Sequence, residues 1–264
     1  MKHDFNFHSH TYLCGHAGGN PIEYVKEAIK HNFSKLGISE HAPMPNLPNN
    51  NSRLKDSDYK TYLDLLNTAK IYANNNNLIF YKGLEIEYFK DINLYTKYLD
   101  DLDYLILGQH YILKNNKLKS TYALDSLEDI IIYRDTIMEA IKTGYFNLIC
   151  HPDLCFYNIL EPTSEMFESL RPLVKLAKEL DIPLEVNANG FRRNKYENHP
   201  IIKYPRLEFF KIVKEENAKV IISSDAHSVS DLNDWAITKA YEFANELNLN
   251  IVTSLKFNYY ENDR

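Results

Sequence analysis

Strand-like and helix-like stretches alternate along this 264-residue chain without a break. That alternation limits the fold more than any other feature. Asp4–Phe7 alternates apolar and polar residues, as a strand does. Asn20 is placed to cap a helix with Pro21 at its first position, and Ile22, Val25, Ala28 and Ile29 line one face. Lys35–Ser39 reads as a second strand and residues 57–75 as a helix. Leu78–Tyr88 is the third strand, Asp91–Asp101 a helix and Tyr104–Gly108 the fourth strand. Asn115-Asn116 between apolar residues predicts a small hairpin over Tyr111–Lys119. A helix over 126–143 follows, with Asp125 as its expected cap and Glu128 three residues on. Strand Asn147–Cys150, helix 164–180 and strand Leu184–Asn187 lead to an expected loop over 188–205, long enough to be functional. Helix 206–217, strand Val220–Ser223 and helix 230–247 complete seven β-α units. Such a series points to one parallel-stranded α/β domain over residues 1–264. A barrel would draw any eighth strand from 251–257; an open doubly wound sheet is the alternative.

Composition removes several function classes. Hydrophobic residues make up 44% and charged residues 25%, which suits a folded globular chain. The formal charge of −6 argues against nucleic acid or an anionic membrane as a bulk partner. Only eight glycines occur, and no dinucleotide-binding or P-loop pattern is among them. No apolar run is long enough to span a membrane, and the N-terminus runs straight into the first strand. Cys14, Cys150 and Cys155 are expected to be reduced thiols in a cytoplasmic protein. The sequence leaves the oligomeric state open.

The ten histidines carry the chemistry. His8 and His10 follow the first strand, and His16 lies in the loop beyond it. Glu40-His41 ends the second strand, while Glu85 and Glu87 come late in the third. His110 ends the fourth, His151 the fifth, and Asp225 and His227 the seventh. The C-terminal strand ends of a βα barrel converge on one mouth, where active sites assemble. His-x-His at a strand end puts two imidazoles on one face. Alone, each of these residues is more often an ordinary polar group. Together, imidazole nitrogens and carboxylate oxygens on one rim are what borderline divalent metals require. One ion takes roughly four to six ligands, so nine donors imply more than one ion. Glu85 is the expected bridge. Clustered ions suit phosphate-ester hydrolysis, with in-line attack on phosphorus by a hydroxide shared between them.

The pattern His8-Ser9-His10, His16, Glu40-His41, Glu85, His110, His151, Asp225-Ala226-His227 resembles the polymerase and histidinol phosphatase (PHP) family, over residues 8 to 227. It is most similar to the family's stand-alone histidinol-phosphate phosphatases, through Gly37–Pro43, Gly83–Glu87, Glu185–Asn187 leading to Gly190-Phe191-Arg192, Tyr204-Pro205 and Ser223–His227. The resemblance implies a distorted, TIM-like (β/α)7 barrel and three divalent ions, with Mn, Fe and Zn all compatible. His8, His10, Glu85 and Asp225 would hold one ion. Glu85, His110 and His151 would hold the second, and His16, His41 and His227 the third. The implied reaction is hydrolysis of L-histidinol phosphate, a small phosphomonoester, in histidine biosynthesis.

The remaining roles are expectations of chemistry. Arg192 is similar in position to the arginine of the family's Gly-Leu-Arg stretch, and the resemblance makes it the first choice for gripping the phosphate, where a guanidinium offers two parallel hydrogen bonds. Relatives often carry a basic residue shortly after His-x-Asp. Here His151-Pro152-Asp153 runs on into Leu154–Asn158, so a second cation is expected from Arg193 or Arg206. Lys195 reads as a solvated charge. Glu87 is expected to meet the substrate amine or support a ligand. Glu40 and Asp153 are expected to orient imidazoles. Asp225, His227 or water would protonate the leaving oxygen. Two other functions fit the same residues: a PHP-type phosphoesterase acting on nucleotides or oligonucleotides, and a non-catalytic metal-binding module. A metal amidohydrolase fits less well, because no strand end offers a lysine.

Overall fold

The computed structural model describes residues 3–44, 47–48, 52–90, 95–198 and 203–257. Ten strands occur among them: β1 Phe5–Asn6, β2 Lys35–His41, β3 Ile79–Ile86, β4 Tyr104–Leu107, β5 Tyr111–Lys114, β6 Lys117–Ser120, β7 Leu148–Ile149, β8 Leu184–Asn187, β9 Lys219–Ser223 and β10 Asn250–Ile251. Eight of these form one parallel sheet in the order β1-β2-β3-β4-β7-β8-β9-β10. The helices are α1 Pro21–Lys30, α2 Tyr59–Asn74, α3 Tyr95–Asp101, α4 Leu127–Lys142, α5 Ser164–Glu168, α6 Arg171–Glu179, α7 Ala188–Tyr196, α8 Leu207–Glu215 and α9 Trp235–Glu246.

The sheet curls into a TIM-like barrel. Above β1 and β9 the two edges meet in a parallel bridge between Ser9 and Ala226. His10 N–H donates to the Ala226 carbonyl at 2.8 Å, and Ala226 N–H to the His8 carbonyl at 3.3 Å. The Asn6 side chain stitches the seam from below, accepting the Ser224 N–H at 2.7 Å. An open doubly wound sheet is thereby ruled out. The eighth strand is only the two residues of β10, which flank β9 at the base of the barrel.

Side chains alternate across each strand, so every second residue faces the barrel axis. Phe5, Phe7, Tyr104, Ile106, Leu148, Cys150 and Ile221 fill the interior, with Leu255 closing the base. Tyr104 is the large member, and its hydroxyl donates to the Phe7 carbonyl at 2.8 Å. It fits because β2 and β3 present glycines to it. A Cβ at Gly37 would lie 2.2 Å from the Tyr104 hydroxyl, and one at Gly83 would lie 2.4 Å from its ring. The outward residues, Leu84, Ile86, Val220 and Ile222 among them, pack under the helices.

Three expectations need correction. The loop over 188–205 begins with α7, which Asn187 caps by accepting the Gly190 N–H. Gly190 lies inside this helix for space: a Cβ would lie 2.0 Å from the Tyr204 carbonyl oxygen. The helix over 164–180 is two helices, because Pro172 cannot supply an interior N–H and opens α6. The cap of α4 is Ser126, not Asp125, and it accepts the Asp129 N–H. Asp129 in turn binds Lys114 and Lys119, pinning the β5–β6 hairpin to α4. Of the helix over 91–101, residues 95–101 form α3; residues 91–94 lie outside the described residues, as does His199.

Replacing Gly83 by alanine is expected to lower the free energy of unfolding in urea by about 1–3 kcal/mol through overpacking against Tyr104. Adding Tyr104→Leu to that variant should recover part of the loss. An unchanged midpoint for Gly83→Ala would show that the barrel interior has slack there.

Candidate metal centre

Period-two alternation that turns Tyr81 and Gly83 toward the barrel interior brings Glu85 inside at the top of β3. Its carboxylate is 1% exposed. Gly108, just past β4, leaves the room: a Cβ there would lie 1.9 Å from Glu85 Oε1. Five imidazoles surround this one carboxylate. Oε2 faces His41 Nδ1 at 2.8 Å and the Nε2 atoms of His8 and His10 at 3.5 Å each. Oε1 faces His151 Nε2 at 3.0 Å and His110 Nε2 at 3.7 Å. Asp225, past the end of β9, closes the group, with Oδ1 3.5 Å from His8 Nε2 and 3.2 Å from His10 Nε2. His151 and Asp225 reach these places through left-handed backbone, at φ 28° and 47°. Such conformations are uncommon for residues other than glycine and concentrate at functional sites.

Hydrogen bonds behind the rings settle which nitrogens carry lone pairs. His8 Nδ1 is 2.7 Å from Glu185 Oε1, and His10 Nδ1 is 3.4 Å from Glu40 Oε1. Ionised carboxylates only accept, so both Nδ1 atoms donate, and in the neutral rings both Nε2 atoms keep a lone pair. Those two Nε2 atoms nevertheless face each other at 3.1 Å. The same arrangement recurs at the rim. His16 Nδ1 and His227 Nδ1 face the backbone carbonyls of Cys14 and Asp225, at 3.4 and 3.1 Å, yet their Nε2 atoms are 3.0 Å apart. Two facing lone pairs repel unless a proton or a metal ion lies between them. Around one tetrahedral ion with ligand bonds of 2.0–2.1 Å, neighbouring ligand atoms are about 3.3 Å apart. The spacings among His8, His10, Glu85 and Asp225 match that edge. Glu85 Oε2 is also a buried oxygen with no hydrogen-bond donor of its own. The residues therefore fit a bound divalent ion. His8, His10 and Glu85, His41, Glu85 and His110, and His10, His41 and His227 each bring ligand atoms close enough to share one.

Charge inside the cluster follows from burial and neighbours. Burial alone would raise the pKa of Glu85 and Asp225. The imidazoles outweigh it: His41, His8 and His110 for Glu85, and His8, His10 and His227 for Asp225. Both carboxyls are held well below the usual range. Burial is likewise overcome at His10, where bonds to Asp225 and Glu40 push the pKa up to about 9, and His8 is raised by Glu185 and Asp225. Burial prevails at His41, and at His227, which falls to about 4.

The expected cations separate by burial. Arg192 is 2% exposed, and all three of its nitrogens are engaged. Nε and Nη2 grip Asp234 at 2.9 Å each; Nη1 donates to the Ser224 carbonyl, and Nη2 also reaches Ser224 Oγ and the Asp231 carbonyl. It braces the backbone around Asp225 and is not available to a phosphate. Arg206 is also buried, and its Nη2 donates to the carbonyls of Phe156 and Ile159. Glu87 does not face a substrate amine: Arg53 and His110 take both its oxygens. Asp153 accepts the Arg206 N–H and makes no hydrogen bond to His151, whose Nδ1 has no partner. Lys195 lies over the Trp235 ring at 4.7 Å. Arg193 is half-buried, 5.0 Å from the ring centres of Tyr122 and Tyr157, and donates to the Tyr157 hydroxyl at 3.1 Å. Tyr122 lies parallel to the His110 ring at 6.3 Å, which places Arg193 beside the cluster.

Three residues escaped the sequence reading. Glu185 holds His8, the His151 N–H and Asn187, and it shares with Asn187 the inward face of β8, which alternation could have shown. Asn187 passes the contact to Asp225 at 3.1 Å. Arg53 lies in a polar loop, where nothing in the sequence distinguishes it from a solvated charge.

The PHP domain model matches residues 6–189. A probable histidinol-phosphatase of Deinococcus radiodurans is 26% identical over 238 residues, 85% of this chain and 86% of its own. The histidinol-phosphatase of Bacillus subtilis is 25% identical over 260 residues, covering 85% and 94%. Other relatives of similar identity bear the broader name of probable phosphatase. A histidinol phosphate phosphatase from Lactococcus lactis, solved with zinc, L-histidinol and phosphate, shares the fold at TM-score 0.70 and 17% identity, over 96% of this chain and 97% of that one.

Binding of divalent ions must displace protons from the raised histidines. At pH 7 the metal-free chain keeps His10 protonated, so loading zinc should release at least one proton per chain. Apparent affinity should rise with pH up to about 9, where His10 loses its proton unaided. Calorimetry in two buffers of different ionisation enthalpy checks this, and a heat independent of buffer would contradict it.

Proposed function

The chain belongs to the PHP family, and from that premise we propose that it is a metal-dependent phosphatase hydrolysing L-histidinol phosphate to L-histidinol and phosphate, in histidine biosynthesis. One observation carries the reading: seven imidazoles and two carboxylates converge on the barrel mouth, with Nε2 pairs facing each other at 3.0–3.1 Å. We assign three ions, from among Mn, Fe and Zn. The first would be held by His8, His10, Glu85 and Asp225, the second by Glu85, His110 and His151, and the third by His16, His41 and His227. Such ions acidify a coordinated water and neutralise phosphoryl oxygens.

The chain's own residues do the rest. Glu85 spans the deep part of the cluster, with one oxygen toward His8, His10 and His41 and the other toward His110 and His151. Glu185 and Glu40 hold the outer nitrogens of His8 and His10, so these rings cannot turn away. Arg193 grips the phosphate in place of Arg192, since its guanidinium lies at the mouth. The faces of Tyr122 and Tyr157 limit where it can swing. Asp225 stays an anion and serves as a ligand. The leaving oxygen takes its proton from water on the side where His16 and His227 meet solvent.

Phosphate release from a panel of phosphomonoesters and one phosphodiester, using protein of known metal content, tests the reading. Selective turnover of L-histidinol phosphate is expected, with about 10²–10³-fold loss of kcat in Asp225→Asn, the scale of a lost transition-state contact. Arg193→Ala should raise KM about tenfold to a hundredfold, since a charge-assisted hydrogen bond contributes ~1.5–3 kcal/mol. Arg192→Met should lower stability first. Preference for a nucleotide or diester, or full metal loading without turnover, would overturn the assignment.

A further inference from the structure

Arg53 lies outside the ring of imidazoles, in the segment between β2 and α2. Its guanidinium is nevertheless buried and grips Glu87 by a fork. Nη1 donates to Oε2 at 2.9 Å and Nη2 to Oε1 at 2.6 Å. Glu87 Oε1 also accepts the Nδ1–H of His110 at 3.1 Å, and His110 Nε2 points toward Glu85 Oε1. The same segment holds the end of β2. Arg53 Nη1 reaches the Ala42 carbonyl at 3.4 Å, and the Leu54 N–H donates to the His41 carbonyl at 3.0 Å.

A carboxylate gripped at both oxygens cannot rotate, and an imidazole whose Nδ1–H is tied to it keeps one tautomer and one orientation. A buried ion pair adds little net stability over apolar side chains of the same volume. The value of this pair therefore lies in where it puts His110. We infer that Arg53 is a positioning residue for the metal centre: by clamping Glu87 it fixes His110, and with it the ion that His110 shares with Glu85. This rests on reading His110 as a ligand.

Titration of the metal-stripped chain with Co²⁺, followed by visible absorption and calorimetry, tests it. Arg53→Met, folded by circular dichroism, should bind one of its ions about 10- to 100-fold more weakly, the range for groups that orient metal ligands. Its cobalt spectrum should change, and kcat for a phosphomonoester should fall while KM holds. Arg53→Lys should recover part of the affinity. In a Glu87→Gln background, Arg53→Met should add less than its effect alone, because the two act in series. Unchanged cobalt binding in Arg53→Met, additive losses, or a raised KM with affinities intact would each overturn the inference. If Arg53→Met does not fold, the test passes to Arg53→Lys and Glu87→Gln, whose unchanged cobalt affinity would overturn it. Failure of the wild-type chain to bind cobalt would instead overturn the reading of the cluster as a metal centre.

Discussion

The Glu85 carboxylate is the point on which the rest of the structure depends. An anion at 1% exposure with no hydrogen-bond donor on one oxygen is costly unless cations surround it. Five imidazoles do so, from four different strand ends, and each must be delivered by a correctly closed barrel. The seam at Ser9 and Ala226 brings His8 and His10 against Asp225. Gly108 yields its side chain so that the carboxylate can lie over β4. Lower in the barrel, Gly37 and Gly83 make the same concession to Tyr104. The apolar plug and the polar mouth are thus built by one rule, alternation along a strand, with the residue type changing at Glu85.

Much of this was legible in the sequence. Strand ends could be placed from apolar runs, and histidines at those ends could be expected to meet, because a barrel gives its C-terminal strand ends one destination. The β5–β6 hairpin was equally plain, since Asn115-Asn116 supplies two residues able to adopt positive φ, as both do. What stayed hidden depends on tertiary space. The left-handed turns at His151 and Asp225 carry no glycine to announce them. Gly190 looked like a loop residue, but its reason is the Tyr204 carbonyl, fourteen positions on.

The arginines show the same limit from the other side. Arg192, Arg193 and Arg206 are chemically equal in a sequence, and all lie near the right motifs. Burial decides among them. Arg192 spends its donors on Asp234 and on backbone carbonyls, and Arg206 is buried with Nη2 on the carbonyls of Phe156 and Ile159, so both organise backbone. Arg193 packs on the faces of Tyr122 and Tyr157, and its bonds to the Tyr157 hydroxyl and to Glu197 are both made by Nη2. A residue's type says what it can bind; its neighbours say whether it is free to.

Charge explains why the cluster needs ions at all. Glu85 and Asp225 are inside it, while Glu40, Glu185 and Glu87 stand directly behind His10, His8 and His110. Among the described residues, only Glu87 of these five buried carboxylates has an arginine. In the metal-free chain the balance falls to protons, which is why His8 and His10 are raised despite complete burial. Protons are a poor substitute, since each occupies a lone pair and neutralises one charge. A divalent ion supplies two charges and satisfies several lone pairs at once. On the proposed reading, an acidic protein receives a phosphate only after the ions have reversed the sign of its mouth, which would make metal loading a condition of substrate binding as well as of the chemistry.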